Sequence, residues 1–205
     1  MEAMWTRFIP VTKHVKDIVD NGTFGEIKSI EIEGGFNILD GIDPNHRHID
    51  PTLAGGTLLA IGVYHVSYVL FFIHSKLINI KSDAKFTPTK VDSDCNIVLS
   101  FENGVNATLI SSFSKNKTNR AILKFENHEI VFSHIWNPDH CIIDGERFDF
   151  PLKSGGFEYE IDAFCESINN NKIENEIMDL SSNREVMLIL DEVRKQIGYK
   201  FPSEK

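Results

Sequence analysis

The chain has 205 residues, 41% of them apolar, which suits one domain with a sizeable core and excludes a disordered chain. Its formal net charge of -9 repels polyanions, and no Lys/Arg run interleaved with aromatics offsets it, so nucleic acid and anionic membrane surfaces are excluded as expected partners. Three widely spaced cysteines, Cys95, Cys141 and Cys165, lack a CxxC pattern; they suggest neither a disulfide framework nor a zinc site and fit a reducing cytoplasm.

Residues 1–10 have no basic n-region and no small-residue cleavage site, unlike a signal peptide, so the sequons at Asn21, Asn106 and Asn116 carry no weight. Residues 3–9 read as a short buried strand. Pro10 then opens a helix whose face is Val11, Val15, Ile18 and Val19, and Asn21-Gly22 stops it. A strand with a mixed face follows in EIKSIEIEGGF. Residues 37–56 form a loop rich in Asp, His, Pro and Gly that feeds a long helix over residues 57–73. The apolar run at residues 63–73 is interrupted by His65, Ser67 and Tyr68 and falls short of the roughly 20 residues a membrane span needs.

Residues 77–150 change to short strands joined by turn dipeptides. Asn103-Gly104 links CNIVLSF to VNATLISSF, Asn127-His128 links AILKFE to EIVFSH, and Asp144-Gly145 links HCII to RFDF. Consecutive hairpins predict a meander and a mostly antiparallel sheet. Two amphipathic helices close the chain, with stripes Phe157, Ile161, Phe164, Cys165, Ile168 and Val186, Leu190, Val193, Ile197 expected to cover the sheet. The second carries a capping box, Ser182 to Glu185. The expected fold class is α+β, a large mostly antiparallel open sheet with helices on one face. If the other sheet face is apolar it must also be buried, which predicts a homodimer through it.

The chemistry is sparser. None of the 13 glycines has another two positions away, so the GxGxxG turn that lets backbone approach a pyrophosphate is absent, and so is a P-loop. This chain alone is therefore expected to bind no dinucleotide. His46 and His48, with Asp43 and Asp50, could ligate a metal, but a solvated polar loop is favoured because no regular element fixes a third ligand. His65 and His74 read as a helix-face and a helix-end histidine. There is no GxSxG elbow for a hydrolase, and nothing distinguishes one carboxylate pair for glycoside cleavage. Trp5, Arg7 and Phe8 place indole, guanidinium and phenyl groups together, as suits a pocket that stacks on a sugar or diol; core packing with a surface arginine explains them equally well.

The segments EAMWTRFIP, NGTFGEIKSIEIEGGF and DPTLAGGTLLAIGVYHVS resemble the glucose-fructose oxidoreductase, inositol dehydrogenase and rhizopine catabolism protein family, nearest its branch of dimeric trans-dihydrodiol dehydrogenases and NADP-dependent xylose dehydrogenases. The resemblance implies a C-terminal domain with the N-terminal Rossmann domain missing: residues 1–25 a remnant of the cofactor-domain edge, residues 26–205 the substrate and dimerisation domain. It implies NAD(P) as the cofactor of the full-length family, a sugar or dihydrodiol substrate, and possible partnership with a separate Rossmann-domain chain. The family's glycine turn leads to an aspartate and, four residues on, a tyrosine or histidine. Tyr64 matches the second position, whereas Ala60 stands in the first, and a methyl neither accepts a proton nor orients a hydroxyl. Phenols ionise near pH 10, so a tyrosine alone moves protons slowly. By resemblance Trp5, Arg7 and Phe8 line the substrate pocket and Arg47 faces it. The rival expectation is a non-catalytic binding or oligomerisation module that lost its chemistry.

Overall fold

Short alternating segments bury one side each, and the chain closes them into a single sheet. The computed structural model describes residues 1–43 and 45–204. Its strands are β1 (Ser29–Gly35), β2 (Leu77–Phe86), β3 (Asp92–Phe101), β4 (Asn106–Ser112), β5 (Arg120–Lys124), β6 (Glu129–Phe132), β7 (His140–Ile143) and β8 (Glu146–Asp149). They form one eight-stranded sheet in the order β2-β3-β4-β1-β5-β6-β7-β8. Neighbours run antiparallel except β1 and β4, which are parallel. The expected meander is therefore split: β4 and β5 do not pair but flank β1, which enters between them. Ile30 and Ile32 of β1 are 0% and 2% exposed, a burial that an edge position would not supply. Asp144 and Gly145 both take positive φ, 50° and 86°, as the tight hairpin between β7 and β8 requires.

The helices are α1 (Pro10–Asp20), α2 (Val63–Phe72), α3 (Glu158–Asn169) and α4 (Leu180–Ile197). Val66, Val69 and Phe72 of α2, with Val186, Leu190 and Val193 of α4, meet Leu99, Leu109, Leu123 and Phe132 from the sheet in one core, which Ile9, Val11 and Val15 also join. By length and composition Pro51–Phe72 could cross a membrane, but 61% of its most apolar window is buried inside the fold. Its hydropathy is that of a central helix packed between the sheet and α4.

Four local expectations are corrected. Residues 3–9 are not a strand: Trp5–Arg7 is a 3-10 turn in which the amide of Phe8 donates to the carbonyl of Trp5 at 3.0 Å, and burial on consecutive residues had imitated a buried strand. The long helix does not run uniformly from residue 57, because Leu58–Gly62 is π-helical before α2 begins. Helix α4 starts before the Ser182 box: Asp179 is the N-cap, its Oδ1 accepting from the Ser182 amide at 2.6 Å. Finally, the α3 stripe does not cover the sheet. Phe157, Ile161, Phe164 and Ile168 are about half exposed, while another face of α3, carrying Tyr159 and Ala163, packs on Met4, Phe8 and Met178. Periodicity showed that α3 has an apolar side but not which body covers it.

Candidate functional site

The site begins at the glycine turn. A Cβ on Gly55 would lie 2.8 Å from the carbonyl oxygen of His48 and 2.9 Å from those of Arg47 and Asp50, so the backbone at residues 47–50 folds directly over that glycine. Gly56 has φ +115°, and its absent Cβ would fall 2.1 Å from Asp92 Oδ1. The amide of Gly55 donates to the Asp50 carbonyl and that of Gly56 to the His48 carbonyl, both at 2.9 Å. This clamp sets the loop against the helix that carries Ala60 and Tyr64.

Two small clefts open there. The first, about 130 Å³, is lined by Arg47, His48, Leu53, Leu59, Ala60 and the glycine turn. The second, about 210 Å³, is lined by Phe36, Ile38, His48, Ala60, Ile61, Phe113 and Trp136. His48 and Ala60 wall both. The His48 ring lies 5.1 Å from that of Phe113 and 5.0 Å from that of His46. Burial, followed by the charges of Arg47 and His46, holds His48 below its usual imidazole value.

The π turn alters the relation between Ala60 and Tyr64. Ala60 faces the clefts, whereas Tyr64 reaches them through Trp136, against which its ring stands edge-on at 5.3 Å and 86°. Arg47 is exposed at the mouth of the first cleft. Phe8 is 2% exposed and packs in the Met4–Met178 cluster that Tyr64 also touches. Trp5 stacks on Phe157 at 4.2 Å, away from both clefts. Arg7 turns inward: Nε donates to Ser67 Oγ and an Nη to the Ser67 carbonyl, each at 2.8 Å, and the other Nη to the Ile177 carbonyl at 3.2 Å. Burial pulls Arg7 down to about 10, and Asp179 and Glu185 oppose that shift. The structure thus brings Arg47, Ala60 and, through Trp136, Tyr64 to one place, with Phe8 behind Tyr64 and Trp5 and Arg7 elsewhere.

Sequence reasoning passed over Phe36, Phe113 and Trp136 and weighed His48 only as a metal ligand. No motif marks them. Trp136, one of only two tryptophans, in the turn-rich stretch after β6, was the signal available. Among the described residues no three His, Cys, Asp or Glu side chains converge as a metal group. His65 is wholly buried and held neutral, pushed down to about 3 by that burial, with Nδ1 3.2 Å from Ser111 Oγ. His74 sits at the surface beside Asp20.

Free amides at a helix N-terminus are a ready site for a pyrophosphate. Here α1 opens on Pro10, which has no N–H; the π turn before α2 is capped by Asp92; α4 is capped by Asp179; and Glu158 at the start of α3 already accepts from the amides of Ser154 and Gly156. Asp92 and Asp179 thus cap two of these helix starts, while the first turns of α1 and α3 have no side-chain cap.

The family described as GFO/IDH/MocA C-terminal domain is matched over residues 12–134. The trans-1,2-dihydrobenzene-1,2-diol dehydrogenases of Mus musculus and Homo sapiens are each 28% identical, over 100% of this chain and 64% of theirs. The chain thus spans about 64% of the length of these relatives. Among solved structures, an aldose-aldose oxidoreductase from Caulobacter crescentus complexed with glycerol aligns with TM-score 0.77 at 19% identity, over 93% of this chain and 60% of that one. A 3-ketoreductase from Actinomadura kijaniata in complex with NADP and TDP-benzene aligns with TM-score 0.77 at 21% identity, over 95% and 61%. These likenesses show the same sheet architecture. By sequence and by fold, the chain belongs to the GFO/IDH/MocA C-terminal domain family of oxidoreductases.

Proposed function

We propose that this chain is the substrate-binding and dimerisation part of an NAD(P)-dependent oxidoreductase acting on a CH–OH group of a sugar or dihydrodiol, and that the isolated chain is inactive or nearly so. The observation that carries the reading is the paired cleft at Ala60, walled by Phe113 and Trp136 and backed by Tyr64. Apolar rings on one side and a few polar groups on the other suit a small cyclic alcohol. The diol dehydrogenase relatives and the NADP in the 3-ketoreductase complex support the cofactor class. The lack of a GxGxxG turn in these 205 residues supports its being held elsewhere, on a Rossmann-type body, and the exposed stripe from Phe157 to Ile168 is an apolar face that such a body would cover.

The outer sheet face is the proposed dimer surface. Across the strands it sets Val98, Ile122, Val131 and Ile142 among ion pairs between Lys124 and Glu31 and between Arg120 and Glu33, so it is mixed rather than simply apolar. Sedimentation should show a dimer that Val131→Arg weakens; a monomer at all concentrations contradicts this part.

Ala60 favours a second reading, a non-catalytic ligand-binding or oligomerisation module derived from such an enzyme. Mixing the chain with a separately expressed Rossmann domain of a relative, NADP and a diol distinguishes the two. Appearance of NADPH supports the enzyme, whereas diol binding without reduction supports the module.

A further inference from the structure

Beyond sharing a wall with Ala60, His48 has a chemical distinction in both clefts. In the larger one Phe36, Ile38, Ala60, Ile61 and Phe113 carry no polar side-chain atom, and the indole of Trp136 can only donate. In the smaller one Arg47 can only donate, and the other side chains are apolar or absent. Of the described residues that line either cleft, an imidazole with one unprotonated nitrogen is then the sole side chain able to accept a hydrogen bond. Among the described residues no group is hydrogen-bonded to a ring nitrogen of His48; its hydrogen bonds run through its backbone, the amide donating to His46 Nδ1 at 3.3 Å and the carbonyl accepting from the Gly56 amide at 2.9 Å. The ring is nonetheless held in place, by Phe113 beside it and by the backbone clamp over Gly55.

An alcohol hydroxyl needs an acceptor as well as a donor when it leaves water, and an unsatisfied one is costly. We propose that His48 is the group that accepts the hydrogen bond of a ligand hydroxyl in the cleft at Ala60, and that the ligand class is a six-membered alicyclic diol lying against Phe113 and Trp136. A void of about 150 Å³ is known to admit benzene, so the larger cleft, about 210 Å³, has room for such a ring. The charged and titratable groups nearest His48 are Arg47 and His46 on its own loop; the facing helix and strands present Ala60, Ile61, Phe36 and Phe113, which carry none. Burial first, and then the neighbouring Arg47 guanidinium, favour the neutral ring, the form that can accept. The proposal rests on the ligand-binding reading above and names the residue that reading lacks.

The probes are trans-cyclohexane-1,2-diol and its dimethyl ether, which has the same ring but no O–H. They are titrated into the full chain while the His48 ring nitrogens are followed by NMR. The diol should bind more tightly than the ether and move the acceptor nitrogen of His48. His48→Phe should weaken the diol by about 3- to 10-fold, the worth of one hydrogen bond, and leave the ether unchanged. His48→Gln, which keeps an acceptor, should recover most of the loss. So should Ala60→Asp added to His48→Phe, because it returns an acceptor to the same wall; a merely structural role for His48 predicts neither rescue. Equal binding of diol and ether, or a diol affinity that His48→Phe does not change, overturns the assignment of His48 and leaves the wider reading standing. Failure of the unmodified chain to bind either probe overturns both.

Discussion

Asp92 Oδ2 accepts the backbone amide of Leu58 at 2.6 Å, so a carboxylate from β3 caps the helix that carries Ala60 and Tyr64. The same carboxylate occupies the space that a side chain on Gly56 would need. The glycine turn and the buried acid therefore form one device that fixes the helix start beside the clefts.

Its pH dependence has a definite sign. Burial raises Asp92 from 3.8 to about 6 against the opposing pull of the amides of Leu58 and Thr57. Because the folded value is raised, the stability this group contributes is full below the ordinary carboxylate range and is lost as the pH rises through about 6, by an amount on the order of 3 kcal/mol. Asp92→Asn keeps an acceptor for Leu58 without the charge. Urea denaturation of both proteins should therefore give a stability difference that shifts in favour of Asn between about pH 4 and pH 6. A difference that does not move over this range would show that Asp92 is not held protonated.

Gly55→Ala tests the clamp. Its new methyl meets three carbonyl oxygens of the backbone, none of which can rotate away. The loss should reach about 1–3 kcal/mol or more, as expected for overpacking, and NMR should show the His48 loop displaced. Gly22→Ala, at a positive φ that Gly55 does not share and with open space around it, should cost only its backbone strain and leave that loop unmoved.

Arg7 separates packing from recognition. Its guanidinium bonds to Ser67 and Ile177 and lies over the Phe71 ring at 5.2 Å, tying the N-terminal turn to α2 and to the approach to α4. Arg7→Met should lose the charge-assisted hydrogen bonds to Ser67 and Ile177, at a cost on the order of 1.5–3 kcal/mol. Thermal denaturation should show the loss, while ligand affinity of the folded fraction stays as in the unmodified chain. Reduced affinity at unchanged stability would instead place Arg7 in the ligand site, as the family resemblance implies.

Ala60→Asp restores a carboxylate at the cleft but supplies no hydride acceptor. The isolated chain carrying it should show no NADP-dependent oxidation of diols or sugars in a spectrophotometric assay. Turnover by this single variant contradicts the proposed division between substrate and cofactor bodies.

Much of the fold was legible because its signals are local. Asp144-Gly145 needed two positive φ values, and Val186, Leu190 and Val193 recur at helical spacing and are all buried. What escaped depends on long-range choices. The entry of β1 between β4 and β5 leaves no mark on either sequence, and the cap of the central helix comes from Asp92, 34 residues beyond Leu58. The candidate site divides in the same way. Ala60 and Tyr64 are marked by the family resemblance, but the π turn at Leu58–Gly62 separates their directions, and Trp136 joins them again only through the sheet. In the sequence His48 reads with His46, two residues away, as part of a solvated polar loop or a metal pair, whereas Phe113 and Ala60 are near it only in space.

The central claim is that these residues form the walls of a substrate site while the dinucleotide is held by another body. Titration of the purified chain with NADPH, followed by nicotinamide fluorescence, addresses it most directly. The account predicts no saturable change; a saturable enhancement with micromolar affinity, from this chain alone, would contradict it.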